Sequence, residues 1–367
     1  MAFRRWRIPG LVLGMGLALL AAQAGAVGGT APQSPAIGRV GLSTSTVLLP
    51  PGQRYAYLKQ ARDIGVTWVR EDFAWSTIEA QRGQFDWRTT DALMRSAGRL
   101  GINVLAMAAW SPPWASGHPE SNKYPPRNPA DYARFVRAIA VRYGAGGTFW
   151  TTTPKDQRRP VTAIEIWNEP WHGHFWQPSP DPAAYARLVR AGATAIKAVH
   201  PEIKVLASGD IFQLTADGDD LGADWLGPLL AADPALWRSG LVNAWSVHVY
   251  CQRLSPWDNT APARVRYDRV ELTRAATVAA GAPWPIWITE LGWNTGDRSD
   301  SVSEDIQALY TVDALRRATD QWGSFVPRSF IYTFDVPGRE TEYNLLRPDG
   351  SVRPAWTALK NFIAAPG

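Results

Sequence analysis

The sequence predicts an α/β fold, a single-domain (β/α)8 TIM barrel, on three observations. Short apolar, β-branched runs alternate with helical runs eight times in succession. Glycine, proline, asparagine and aspartate punctuate the junctions, and no linker, low-complexity tract or internal repeat interrupts the series. Two of the apolar runs, Ile164-Glu165-Ile166-Trp167-Asn168-Glu169-Pro170 and Ile286-Trp287-Ile288-Thr289-Glu290-Leu291-Gly292-Trp293, carry a glutamate where the chain is about to turn. The C-terminal lip of a barrel strand is where this architecture keeps its chemistry.

The elements follow in order. Residues 37–42 form the first strand and 53–64 a helix that Gly65 closes. The second strand is 66–70, followed by a helix over 90–100 with Gly101 as its cap. The third strand, 102–108, leads into Trp110-Ser111-Pro112-Pro113-Trp114. Asn128 caps a helix that Pro129 begins and Tyr143 ends, before Gly144. Residues 144–159 read as a surface insertion. The fourth strand is expected to run to Glu169, where Pro170 stops the ladder. Asp181-Pro182 starts a helix that reaches His200, and 203–207 is the fifth strand. An acidic, glycine-containing loop and a helix over 225–232 come next. The sixth strand is 242–249 with a helix over 263–280, the seventh 284–289 with a helix over 302–321, and the eighth 329–334 with a helix over 354–363.

The N-terminal residues are excluded from the barrel. Arg4, Arg5 and Arg7 precede an apolar stretch over 11–22 that is short for a bilayer span, and Ala24-Gly25-Ala26 is a small-x-small cleavage pattern. Residues 1–26 therefore read as a signal peptide cleaved after Ala26, with Ala22-Gln23-Ala24 as a second site and an uncleaved anchor as the alternative. Residues 27–367 are then the barrel domain, secreted or periplasmic, with no stable membrane insertion after cleavage. The segment holds three of the 38 basic residues and none of the 33 acids, so the remainder is 35 against 33, close to neutral. The basic residues are dispersed, which argues against a nucleic-acid partner. One cysteine, Cys251, excludes an internal disulfide and a cysteine-based zinc site. A monomer without cofactors or metal is expected.

Two strand-end carboxylates, Glu169 and Glu290, would face one mouth of the barrel. Two carboxyls about 5–5.5 Å apart hydrolyse a glycosidic bond with retention, one protonated by partial burial and the other ionised. Asn168, beside Glu169, can hydrogen-bond a sugar hydroxyl. Arg70, ending the second strand, can favour an ionised Glu290. His248 and Tyr250, two apart on the sixth strand, share a face and can reach the two glutamates. Glu165 shares parity with Glu169 but lies deeper, as a structural acid paired with an arginine. There are 19 tryptophans. Trp114, Trp171, Trp176, Trp257 and Trp293 fall in mouth-side loops, where aromatic faces suit sugar rings, whereas Trp68, Trp245 and Trp287 fall in strands and belong to the core. His172-Gly173-His174 lacks a matched third metal ligand, and Asp217-Gly218-Asp219-Asp220 lacks the distal glutamate of a calcium loop.

Trp167-Asn168-Glu169-Pro170 and Thr289-Glu290-Leu291-Gly292-Trp293 resemble the motifs of the retaining barrel glycosidases of clan A. With Asp72-Phe73-Ala74-Trp75-Ser76-Thr77-Ile78-Glu79, Gly83-Gln84-Phe85-Asp86-Trp87 and Ser111-Pro112-Pro113-Trp114-Ala115, the chain is similar to glycoside hydrolase family 39 and its endoglycosidase-like relatives acting on bacterial exopolysaccharides. The resemblance spans residues 37–363. It implies a retaining hydrolase of β-type O-glycosidic bonds in a polysaccharide or oligosaccharide, with Glu169 as acid/base and Glu290 as nucleophile. Arg70, Asn168, His248, Tyr250, Trp114, Trp171 and Trp293 are expected to bind substrate. Clan members often place a tryptophan at the end of the eighth strand; here Phe334 is taken as that platform. Xylosidases of the family usually carry an accessory β-rich domain, for which the sequence leaves no room after the eighth strand. The alternatives are an exo-acting β-xylosidase-like enzyme and a carbohydrate-binding barrel without catalysis.

Overall fold

The computed structural model describes residues 36, 38–215, 217, 220–334 and 341–365, and for 220–223 and 334 the backbone alone. The predicted signal peptide, residues 218 and 219 of the acidic loop and the Phe334 side chain lie outside the described residues.

Among the described residues, eight parallel strands close into one barrel. In chain order these are β1 (Val40–Thr44), β2 (Trp68–Ala74), β3 (Asn103–Ala109), β4 (Ala163–Ile166) and β5 (Lys204–Ser208). A two-stranded antiparallel hairpin, β6 (Phe212–Leu214) and β7 (Asp220–Asp224), sits outside the barrel. The barrel resumes with β8 (Ala244–Tyr250), β9 (Ile286–Gly292) and β10 (Arg328–Phe334), which returns to pair with β1.

The main outer helices are α1 (Pro51–Asp63), α3 (Arg88–Leu100), α5 (Pro129–Tyr143), α6 (Pro182–Lys197), α7 (Leu226–Ala232), α9 (Arg269–Ala279), α10 (Glu304–Arg316) and α11 (Pro354–Ala364). Three short ones were not legible as helices: α2 (Trp75–Ile78), α4 (Pro113–Ser116) and α8 (Pro234–Arg238). Helix starts follow their caps. Asn128 accepts from the Ala130 N–H, Asp181 from Ala184 and Ser303 from Ile306. Gly101, at φ 68°, ends α3 in the left-handed conformation. None of the described helices is long and apolar enough to cross a membrane.

Inward side chains stack in layers. Trp68, Leu105, Ala163, Leu206, Ala244, Trp287 and Phe330 form an apolar plug near the N-terminal ends of the strands. Trp68 meets Trp287 edge-on at 5.6 Å, and the Arg328 guanidinium lies 4.2 Å from the Trp68 ring centre. Gly41 makes room for this plug, because a Cβ there would stand 2.5 Å from the Phe330 ring. Two residues along, the same faces carry Arg70, Glu165, Ser208, Ser246, Thr289 and Tyr332, with Met107 as the apolar exception on β3, and that layer floors the mouth.

One strand ends earlier than expected. β4 stops at Ile166, and Trp167 and Glu169 adopt left-handed backbone at φ 66° and 42°. Such φ values are costly for residues with a Cβ and persist where surrounding contacts fix them. Here the Trp167 N–H still bonds the Ala108 carbonyl and its indole donates to Phe175 O.

On the mouth side, Glu71 of β2 clamps the β1–α1 connection. It accepts from Thr44 Oγ1 at 2.5 Å, from Thr46 Oγ1 and from the Val47 N–H at 3.1 Å. Burial pushes its carboxyl up to about 7. The folded chain therefore binds this proton more tightly than the unfolded one. The stability it contributes is present below the ordinary carboxylate range and is lost as pH rises through about 7, by at most about 3 kcal/mol. Glu71→Gln should flatten this dependence, so that its unfolding free energy gains on wild type between pH 5 and pH 8. Parallel stability curves would contradict this origin.

Candidate active site

The site is built on β2, β4 and the turn after it, β8 and β9; β2 runs on to Ala74, so Arg70, expected at the strand end, lies within the strand. Arg70 lies two residues beyond Trp68 on β2, so its side chain also points into the barrel, above the plug. Only 3% of it is exposed. Its guanidinium is shared among four groups: Nε reaches Glu165 Oε2 at 2.6 Å, Nη1 reaches Glu290 Oε1 at 2.6 Å and Ser43 Oγ at 3.4 Å, and Nη2 donates to Asn168 Oδ1 at 2.7 Å. Burial alone would lower the pKa of Arg70, but the charges of Glu165 and Glu290 hold it above its ordinary value. Glu165 is the buried partner expected of it, and it also accepts from Thr289 Oγ1 at 3.1 Å.

β9 carries the second glutamate through a register shift. Val247 pairs with Ile288 but His248 pairs with Glu290, so Thr289 is an extra residue on β9. The bulge turns Glu290 into the mouth beside His248 and Tyr250. Gly292 is still within β9, where a Cβ would meet the Tyr332 carbonyl at 2.4 Å. The glycine therefore permits a close strand approach and does not break the strand.

Both Glu290 oxygens are held, Oε1 by Arg70 and Oε2 by the Tyr250 hydroxyl, with His248 Nδ1 at 3.5 Å. Burial pushes the Glu290 carboxyl up; His248 and Arg70 pull it back, while the Glu169 charge adds to the rise. Burial also raises Tyr250 well above its usual range, as does the Glu290 charge, so Tyr250 remains a proton donor. Glu169 is half-buried, and its Oε1 lies 2.7 Å from His248 Nδ1. Burial lowers the pKa of His248 and keeps its ring neutral near pH 7. The His248 backbone N–H bonds Asp210 Oδ2 at 3.2 Å, and burial pushes the Asp210 carboxyl up to about 6.

Glu169, His248 and Glu290 each offer one ligand atom, all within 4.8 Å of one another, the group among the described residues best arranged to hold a metal ion. Its chemistry suits a cation poorly. Arg70 and Tyr250 already occupy one Glu290 oxygen each, and the fixed Arg70 charge would repel an ion at that carboxylate. Two carboxylates at this spacing instead match the two sides of one anomeric carbon.

A cleft of about 430 Å³ opens over the pair. Of the predicted residues, Arg70, Asn168, Glu169, Trp171, Tyr250 and Glu290 line it, and His248 lies buried beneath them. Two predicted platforms are elsewhere. Trp114 packs edge-on against Trp75 and donates its indole N–H to Glu79 O at 2.8 Å. Trp293 is buried against Tyr310, with its indole N–H bonded to Leu254 O at 3.0 Å. Both follow strand ends but fold outward, and their N–H groups close loops. Trp176 is buried too, and Trp257 is 47% exposed outside the cleft, covered on one side by Arg317. The Phe334 side chain, expected as a platform, lies outside the described residues. Tyr332, two residues earlier, lines the cleft and packs edge-on against Tyr250 and Tyr343. Inward parity from Phe330 in the plug to Tyr332 was the available signal.

Sequence reasoning also missed Asp72, Trp110, Phe175 and Phe212, all of which line the cleft. Asp72 accepts from the Trp110 indole at 3.0 Å. The β6–β7 hairpin brings Phe212 to 5.0 Å from Trp171 and is fastened by the Leu214 N–H to Trp171 O. His172 accepts the His174 N–H on Nδ1, which occupies that nitrogen. Cys251 is buried, and its thiol is pushed up to about 12, which makes it inert.

The family model described as beta-galactosidase, glycoside hydrolase family 42, matches residues 53–142, which include Arg70 and Asp72. No curated protein matches the chain. Among solved structures, a family 39 glycoside hydrolase from Bacteroides cellulosilyticus WH2 is 20% identical with a TM-score of 0.62, over 90% of this chain and 64% of that one. A glucosidase from Croceicoccus marinus is 18% identical with a TM-score of 0.60, over 83% and 62%. A GH5_18 protein from Streptomyces cattleya, in complex with GlcNAc, is 17% identical with a TM-score of 0.63, over 91% and 80%. The chain spans under two thirds of the length of the first two. The chain thus has the (β/α)8 barrel fold of clan A glycoside hydrolases, with family 39 and family 5 proteins among its structural relatives.

Proposed function

We propose that the protein is a retaining glycoside hydrolase that cleaves β-type O-glycosidic bonds in a polysaccharide or oligosaccharide. The observation that carries this reading is the meeting of Glu169 and Glu290, 121 residues apart in sequence, with carboxylate oxygens within 4.8 Å at one barrel mouth. The likeness to family 39 and family 5 barrels supports it. Residues 1–26 would direct export, so the enzyme would act as a monomer in the periplasm or outside the cell.

In the first half-reaction the Glu169 carboxyl gives its proton to the glycosidic oxygen. Glu290 attacks the anomeric carbon, the C–O bond to the leaving sugar breaks, and a glycosyl ester forms on Glu290. In the second, water attacks the same carbon, Glu169 takes its proton and Glu290 leaves as carboxylate. Arg70 and Tyr250 fix the plane of the Glu290 carboxylate and favour its ionised form. A neutral His248 serves both states of Glu169. With its N–H on Nε2, facing Glu165 at 4.0 Å, Nδ1 accepts from protonated Glu169. With its N–H on Nδ1, the ring donates to the Glu169 carboxylate. Asn168, held by Arg70, can present its amide N–H to the sugar 2-hydroxyl.

Glu290→Gln should lower kcat by at least about 10⁴-fold, and Glu169→Ala should regain turnover of an activated aryl glycoside when azide is added. Full activity in Glu290→Gln would refute the assignment. Arg70→Lys loses the fork that binds Glu165 and Glu290 together, so the acidic limb of the kcat/KM profile should move to higher pH. An unmoved limb would remove Arg70 from the ionisation of Glu290. Tyr332→Ala should raise KM about tenfold or more, whereas Trp114→Phe should leave KM unchanged and lower thermal stability, as steady-state kinetics and melting curves would show.

A further inference from the structure

A second cavity, of about 640 Å³, shares no lining residue with the cleft. It lies on the barrel flank between α5 and the turn joining α2 to α3. Buried Glu79 organises that turn, accepting from the Trp75 indole and the Gly83 N–H, each at 2.7 Å. The turn presents Phe85, 36% exposed and stacked on Trp87 with ring centres 5.3 Å apart and planes 4° apart. Tyr143 supports Trp87 of this pair, edge to face. The outward face of Phe85 is a rigid apolar platform beside the groove.

Beside the apolar Ala138 and Val141, the groove carries four basic side chains. Arg82, Arg134, Arg137 and Arg142 all line it. Arg142 is committed to Asp91, through Nε at 2.8 Å and Nη2 at 2.6 Å. Arg82 and Arg134 share one oxygen of Asp131, at 2.6 and 2.7 Å, so each spends a single N–H on it. Arg137 is exposed and makes no ion pair or hydrogen bond among the described residues. Against Asp91, Asp131 and buried Glu79, the four guanidiniums leave one positive charge in excess and many unspent donors.

We propose that this groove is a second, non-catalytic binding site for a carboxylate-bearing polysaccharide, a polyuronate. One sugar ring stacks on Phe85, and a carboxylate is gripped by the planar fork of Arg137 with the spare N–H groups of Arg134 or Arg82. An aromatic platform alone would hold a neutral glycan, and arginines alone would hold any polyanion. Their juxtaposition selects a sugar polymer that carries acids. A chain held here raises the local concentration of polymer at the protein surface. Binding needs no turnover, so it is decided separately from the hydrolytic reading.

Affinity electrophoresis of the full chain tests it, in native gels containing polygalacturonate, dextran sulfate or methylcellulose. Polygalacturonate should retard the wild type and methylcellulose should not. Arg137→Ala should weaken the retardation about threefold and Arg137→Glu should abolish it, since an exposed arginine–carboxylate contact is worth little more. Phe85→Ala should weaken it as well. Lys360→Ala, which removes the same charge from α11, should be retained like the wild type. Wild type unretarded by polygalacturonate, equal losses in Arg137→Ala and Lys360→Ala, or retention by dextran sulfate alone would each overturn the assignment.

Discussion

One buried guanidinium holds the barrel mouth together. Arg70 binds Glu165 and Glu290 through separate nitrogens and reaches Asn168 with a third. A lone arginine at this depth would cost several kcal/mol, and so would either carboxylate without it. Neither partner can be removed cheaply. The groups are therefore locked together, and the locking fixes where Glu290 points. This is preorganisation: the carboxylate that would attack is already oriented before substrate arrives.

The same arrangement sets the charges around the cleft. Glu165, Glu169 and Glu290 face one arginine and a neutral imidazole. Arg70 holds Glu290 through one nitrogen, and His248 Nδ1 meets Glu169 at 2.7 Å. The carboxylate that would attack thus sits on a fixed cation, and the carboxyl that would act as acid sits on an imidazole able to accept or donate a proton.

Much of the fold was legible because barrel strands are short, apolar and punctuated. Asn128, Asp181 and Gly101 fall at helix ends as their chemistry requires. Both glutamates could be found because each ends an apolar run. Other features depend on contacts distant in sequence. Nothing local marks Thr289 as the extra residue that sets Glu290 beside His248, or puts Trp167 and Glu169 in left-handed backbone. Tryptophans in loops rich in proline and glycine looked like sugar platforms, yet Trp114 and Trp293 spend their indole N–H groups on loop carbonyls. The hairpin carrying Phe212 lies in a stretch whose acidic composition hid its strand pattern.

The stereochemistry of the first-formed sugar tests the central claim most directly. Proton NMR during early turnover, before mutarotation, reads the anomeric configuration of the product. Two carboxylates this close leave no room for a water between Glu290 and the sugar, so the new reducing end should keep the configuration of the bond that was cleaved. A product of opposite configuration would mean direct attack by water, and would contradict an account built on Glu290 held by Arg70 as the attacking group.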